Sequence, residues 1–119
     1  MKTVTVRSPW AGHILLGGKD VENRTWQTHH RGPLLIHCAS ARVDHDAPLG
    51  PTTVRGAIVG VVNVVDCVRG YESDWALNGF WHWVLREPEM FARPVECSGQ
   101  LMLWEPPQAA WRLIAPQLS

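Results

Sequence analysis

The sequence predicts a mainly β domain: a small barrel of five or six short strands with short flanking helices. Its apolar stretches are short, non-repeating and punctuated by Gly and Pro, which favours a small barrel or sandwich. One of them, Ala57 to Val68, is so rich in Val and Ile that it reads as a central strand. At 119 residues, with 45% hydrophobic and 18% charged side chains, the chain fits one domain with one core, residues 1–119.

In order along the chain, Val4-Thr5-Val6 reads as a short alternating strand. Ser8-Pro9 reads as a helix start, with Ser8 as N-cap and Pro9 at the first helical position. Trp10, Ile14 and Leu15 then form the inward face of a helix ending at Leu16, and Gly17-Gly18 stops it with a left-handed cap. Val21 to Trp26 reads as a strand leading into a loop over Gln27 to Gly32, and Pro33 to His37 as a short buried strand. Ala39 to Arg55, broken by Asp44, Asp46, Pro48, Gly50 and Pro51, reads as a long loop forming a mobile rim over a site. After the central strand come a polar excursion at Tyr71 to Asn78, a strand at Trp81 to Arg86 and a turn region at Pro88 to Pro94. Gly99 to Trp104 closes the set of strands, and Ala109 to Ile114 reads as a short terminal helix.

Charge and cysteine usage narrow the function classes. Formal net charge is zero, which argues against a strong nonspecific polyelectrolyte binder. Residues 1–42 nevertheless hold six Lys and Arg against two carboxylates, while residues 43–119 hold five Arg against nine. An anionic ligand is therefore expected on the N-terminal side. Cys38, Cys67 and Cys97 are odd in number and widely spaced, so they read as buried free thiols. No apolar run approaches the ~20 residues of a membrane span and no signal-peptide core is apparent, so a soluble, cytoplasmic protein without a membrane partner is expected. Composition does not indicate an oligomeric state.

The most informative segment is Gly18 to Trp26, followed by Thr28 and His30-Arg31-Gly32. If Val21 onward is extended, Glu22, Arg24 and Trp26 emerge on one face. An acceptor, a forked planar donor and a stacking surface then lie side by side, which suits a flat polar ligand such as a nucleobase. Lys19, just past the glycine pair, can reach a phosphate as a point charge. Trp10 is a second candidate platform, and His30-Arg31 a polar loop for phosphate. The plain alternative is a surface strand with a local ion pair, worth at most about 1 kcal/mol. Trp81, Trp83 and Trp104 sit in apolar strand segments and read as core and rim residues. His29, His30, His37, Cys38 and His45 lack the spacing of a zinc site, so no metal or other cofactor is expected.

These motifs resemble the activating signal cointegrator 1 homology (ASCH) domain. The likeness rests on Pro9-Trp10, the Gly-x-Lys-x-x-Glu-x-Arg stretch from Gly17 to Arg24, Trp26, Thr28 and His30-Arg31-Gly32. It continues through Leu34-Leu35-Ile36-His37, Gly56 to Val62, Phe80 to Leu85 and Gly99 to Trp104, covering about residues 4–105. The resemblance implies a PUA-like β-barrel and a nucleic-acid-binding function, RNA ahead of DNA. The expected site is a basic cleft of Trp10, Lys19, Glu22, Arg24, Trp26, Thr28, His30 and Arg31. One group in the family resembles amidohydrolases that act on acetylated cytidine through a Lys, a Thr three residues later and a distant Glu. Here Lys19 fits but Glu22 occupies the Thr position, so the hydroxyl is missing. The alternatives are an RNA- or nucleotide-processing hydrolase, with Lys19 and Glu22 as its catalytic candidates, and a pocket for a modified nucleoside.

Overall fold

Two aliphatic runs, Leu34 to Ile36 and Ala57 to Val62, lie at the centre of the sheet in the computed structural model, which describes residues 1–119 apart from the side chain of Arg42. The elements are β1 (Thr3–Ser8), α1 (Trp10–Leu16), β2 (Val21–Arg24), β3 (Gly32–Val43), β4 (Ala57–Val68), β5 (Trp81–Glu96), β6 (Leu103–Trp104) and α2 (Gln108–Ile114). A 3-10 turn at Ala115–Gln117 follows α2. The strands form one sheet in the order β2-β5-β4-β3-β1-β6, in which only β1 and β3 run parallel. It curls into a six-stranded half-barrel with the two short helices against it.

Each face of the sheet has its own apolar cluster. On one, α1 packs Ala11, Ile14 and Leu15 against Val4, Leu34, Ile36, Val59 and Trp83. On the other, Ala110 and Ile114 of α2 meet Leu35, Ile58, Phe91, Val95 and Trp104. Alternation along β3 and β4 supplies both faces at once, which is why these strands read as continuous apolar runs.

Several boundaries differ from the sequence reading. Ser8 does not cap α1; its backbone stays in the sheet, opposite Val43, with its carbonyl accepting from the Asp44 N–H at 2.7 Å. Pro9 takes the N-cap position. β3 runs on to Val43 because, beyond Cys38, pairing with the end of β1 replaces pairing with β4. The long loop is therefore 44–56. β5 passes through Pro88 and Pro94 instead of turning, since β2 covers only Trp81 to Val84 and the rest of that edge has no strand needing an N–H. β2 stops at Arg24, and the last sheet strand shrinks to Leu103–Trp104.

Candidate functional site

The end of α1 determines where the site begins. Gly18 adopts φ +78°, and the N–H groups of Gly17 and Lys19 both donate to the His13 carbonyl, at 3.0 and 2.9 Å. This left-handed glycine stop turns the chain sharply and directs Lys19 inward instead of out to water. Lys19 is only 4% exposed. Its Nζ lies 3.9 Å from Glu22 Oε1 and over the rings of Trp10 and Trp75, at 5.1 and 5.7 Å. Burial pushes the Lys19 ammonium below its ordinary value, against the opposing pull of the Glu22 and Asp20 carboxylates.

Glu22 and Arg24 share one face of β2, as alternation requires. Arg24 donates from Nε and Nη2 to Glu22 Oε2, at 3.1 and 2.8 Å, and from Nη2 to the Thr5 carbonyl at 2.8 Å. That last bond reaches from the edge strand β2 to β1 and spans the open seam of the half-barrel. Together these side chains line a cleft of about 890 Å³ with Trp10, Asp44, Asp74 and Trp75.

Two loops complete the walls. Trp10 Nε1 donates to Asp44 at 2.9 Å, and His13 Nε2 bonds the Pro48 carbonyl at 2.8 Å, so the 44–56 loop is strapped onto α1. The loop between β4 and β5 is built by Asn23, whose amide donates to the Trp75 carbonyl at 3.0 Å and accepts from the Leu77 N–H at 2.9 Å. Ser73 donates to Asp20 at 2.5 Å, and His82 bonds the Leu77 carbonyl at 2.7 Å. These contacts position Trp75 and Asp74 on the cleft.

The family model for the ASCH domain matches residues 4–95. The chain belongs to the ASCH domain family. The crystal structure of a mutant form of the ZmASCH protein from Zymomonas mobilis superposes over 99% of this chain and 98% of its own, with a TM-score of 0.64 at 12% sequence identity. That likeness shows the fold, the curled half-barrel of ASCH and PUA-like domains. No curated protein matches the chain in sequence.

In this ASCH domain the fold brings Trp10, Lys19, Glu22 and Arg24 together and leaves the other expected residues off the cleft wall. Trp26 lies past the end of β2 and packs edge-on against buried Trp83, with ring centroids 4.8 Å apart. Thr28 is buried and its Oγ1 accepts from the His30 N–H at 3.1 Å. The His30 ring bonds the Pro33 carbonyl, and Arg31 donates to the carbonyls of Thr28 and His30 and sits 3.8 Å from Asp66. These residues form a loop that is tied to itself.

The cleft is also not the basic one expected from residues 1–42. Its wall holds Arg7, Lys19 and Arg24 against Glu22, Asp44 and Asp74, because folding brings the last two from the acidic part of the chain. Among the described residues, no group of three His, Cys, Asp or Glu side chains is placed to hold a metal ion. Cys38 and Cys67 are buried free thiols, and Cys97 is half-buried. Among the described residues, no helix is long and apolar enough to cross a membrane. Trp75, Asp74 and Asn23 escape sequence reasoning. The one available signal is a Trp placed in the polar Tyr71 to Asn78 stretch, where no core needs it.

Proposed function

We propose that this ASCH domain binds nucleic acid, RNA ahead of DNA, by taking one unpaired base into the cleft beside Trp10 and Trp75. One observation supports this above the others: an indole wall stands next to a linked Lys19–Glu22–Arg24 set in a cleft that holds, among the described residues, as many acidic as basic side chains. A neutral flat ring with donors and acceptors on its edge suits such a wall. A phosphate at the same depth would face Glu22, Asp44 and Asp74. Glu22 can accept from a base amino group and Arg24 can fork onto acceptor atoms of a base edge. RNA leads because sequence-specific RNA recognition works mainly on unpaired, splayed-out bases.

The test is a joint panel of binding and cleavage on single- and double-stranded RNA and DNA, with thermal stabilisation by nucleosides measured in parallel. Retention of single-stranded RNA without turnover, together with stabilisation by at least one nucleoside, is the expected result. Retention of duplexes alone, with no response to any nucleoside, rules out the base-binding cleft.

A hydrolase is the second reading, and it has one observation in its favour. Lys19 is buried with its proton held less tightly than usual, in a cleft that also contains Glu22 and Asp74. Such a lysine suits acid–base or nucleophilic work. Shortening of RNA, or release of an acyl group from a modified nucleoside, that disappears in Lys19→Met decides for this reading.

A further inference from the structure

The cleft does not end at Arg24. Thr5, Arg7 and Arg24 also line a second, adjoining cleft of about 610 Å³, whose other walls are Ala39 to Ala41 of β3 and the segment from Gly99 to Met102. We propose that this second cleft is the subsite for a neighbouring ribonucleotide, so that the domain holds two consecutive nucleotides of an unpaired RNA strand with their linking phosphate on Arg7 and Arg24. The proposal rests on the reading above, in which the first cleft takes a base.

Charge is the first argument. Among the described residues, the second cleft carries Arg7 and Arg24 and no carboxylate, unlike the first. Arg7 is exposed and makes no ion pair among the described residues. Arg24 uses Nε and Nη2 for Glu22 and Thr5, which leaves Nη1 without a hydrogen-bond partner among the described residues. Two guanidinium groups with spare donors at the junction of two clefts suit a phosphodiester.

His37 supplies the second, independent argument. It is 1% exposed and lines the second cleft. Its Nε2 donates to the Cys97 carbonyl at 2.7 Å, so Nδ1 carries the lone pair, and that atom is buried with no partner among the described residues. Burial pushes the imidazolium below its ordinary value and keeps the ring a neutral acceptor. An orphaned acceptor calls for a donor, which a phosphate dianion or diester lacks. The 2′-hydroxyl of ribose has one, and deoxyribose does not. Gly99 closes over the ring, and a Cβ there would sit 3.1 Å from Nδ1. Displacing one residue without a side chain opens the way.

The experiment uses the full chain in calorimetric or NMR titration. The ligands are the four ribonucleosides, the dinucleoside monophosphates ApA, CpC, GpG and UpU, and the deoxy forms of those dinucleotides. At least one ribodinucleotide is expected to bind about tenfold more tightly than its nucleoside, the worth of one added charge-assisted hydrogen bond or more. Ala41→Trp, at an exposed strand position on the second cleft alone, should abolish that gain and leave nucleoside affinity unchanged. Arg7→Ala should reduce that gain, because it removes one of the two guanidinium groups on the linking phosphate. A nucleoside that binds as well as its dinucleotide, a gain that survives Ala41→Trp, or equal binding of the deoxy forms overturns the second subsite and leaves the first intact. Absence of binding by nucleosides and dinucleotides alike overturns the base-binding cleft itself.

Discussion

Burial takes the Lys19 ammonium out of water, and its carboxylate neighbours only partly restore it. The folded protein therefore holds this proton less tightly than the unfolded chain does. Stability contributed here must rise with pH between the lowered folded value and the ordinary 10.5. Urea unfolding of wild type and Lys19→Met across that window should show wild type gaining on the variant as pH rises; a constant difference would refute the assignment. His37 has the same sign at lower pH. Its neutral form is favoured in the fold, so stability is fully present above 6.5 and lost as pH falls through the depressed value. His37→Gln should flatten that acid slope. Among the aromatics, Trp10→Ala should cost about 1–3 kcal/mol of binding with no change in salt dependence. Trp26→Ala, whose ring supports Trp83, should lower the melting temperature and leave ligand affinity alone.

At the scale of elements, the two loops that wall the cleft are held by very different devices. The 44–56 loop presses so closely on α1 that a Cβ at Gly12 would fall 2.0 Å from the Pro51 carbonyl oxygen. Gly12→Ala should therefore destabilise by about 1–3 kcal/mol, the usual cost of overpacking, seen as a lower denaturation midpoint. The same contacts with Trp10 and His13 make this segment a docked wall, a role that its Pro and Gly punctuation does not reveal. The 69–80 loop between β4 and β5 depends instead on single polar side chains, Asn23 above all. Asn23→Ala should weaken nucleoside binding while changing the melting temperature by only a few degrees, because it frees Trp75 without opening the core. A variant that binds as wild type does would mean that Trp75 is placed by something else. β2 itself was legible by alternation: Glu22 and Arg24 share a face, opposite Trp83 and Trp81. Its end was not legible, since Thr25 and Trp26 have strand-forming side chains but no partner strand to pair with.

Over the whole molecule, the half-barrel decides which charges meet. Six basic residues precede position 43, yet Arg31 is occupied by its own loop, and Lys19 and Arg24 are each paired with Glu22. Oligonucleotide binding should therefore show a shallow salt slope, about two to four, and Arg31→Ala should change affinity less than Trp10→Ala does. A steep slope that Arg31→Ala reduces would move the interface to the His30-Arg31 loop. Local chemistry accounts for what the sequence determined alone. The Val- and Ile-rich run fixed β4, the glycine pair fixed the end of α1, and period-two alternation put Glu22 and Arg24 together. With the Trp10, Lys19 and Arg31-Gly32 motifs, these were sufficient to indicate the family. Long-range pairing decided the rest. β3 and β5 were extended by partner strands far away in the chain, and Asp44, Asp74 and Trp75 reached the cleft on loops bonded to α1 and β2. Trp26 and Arg31 were drawn away from it by Trp83 and by their own turn. Apart from the turn that holds Arg31, such contacts join residues tens of positions apart, so no local pattern of spacing or composition can encode them.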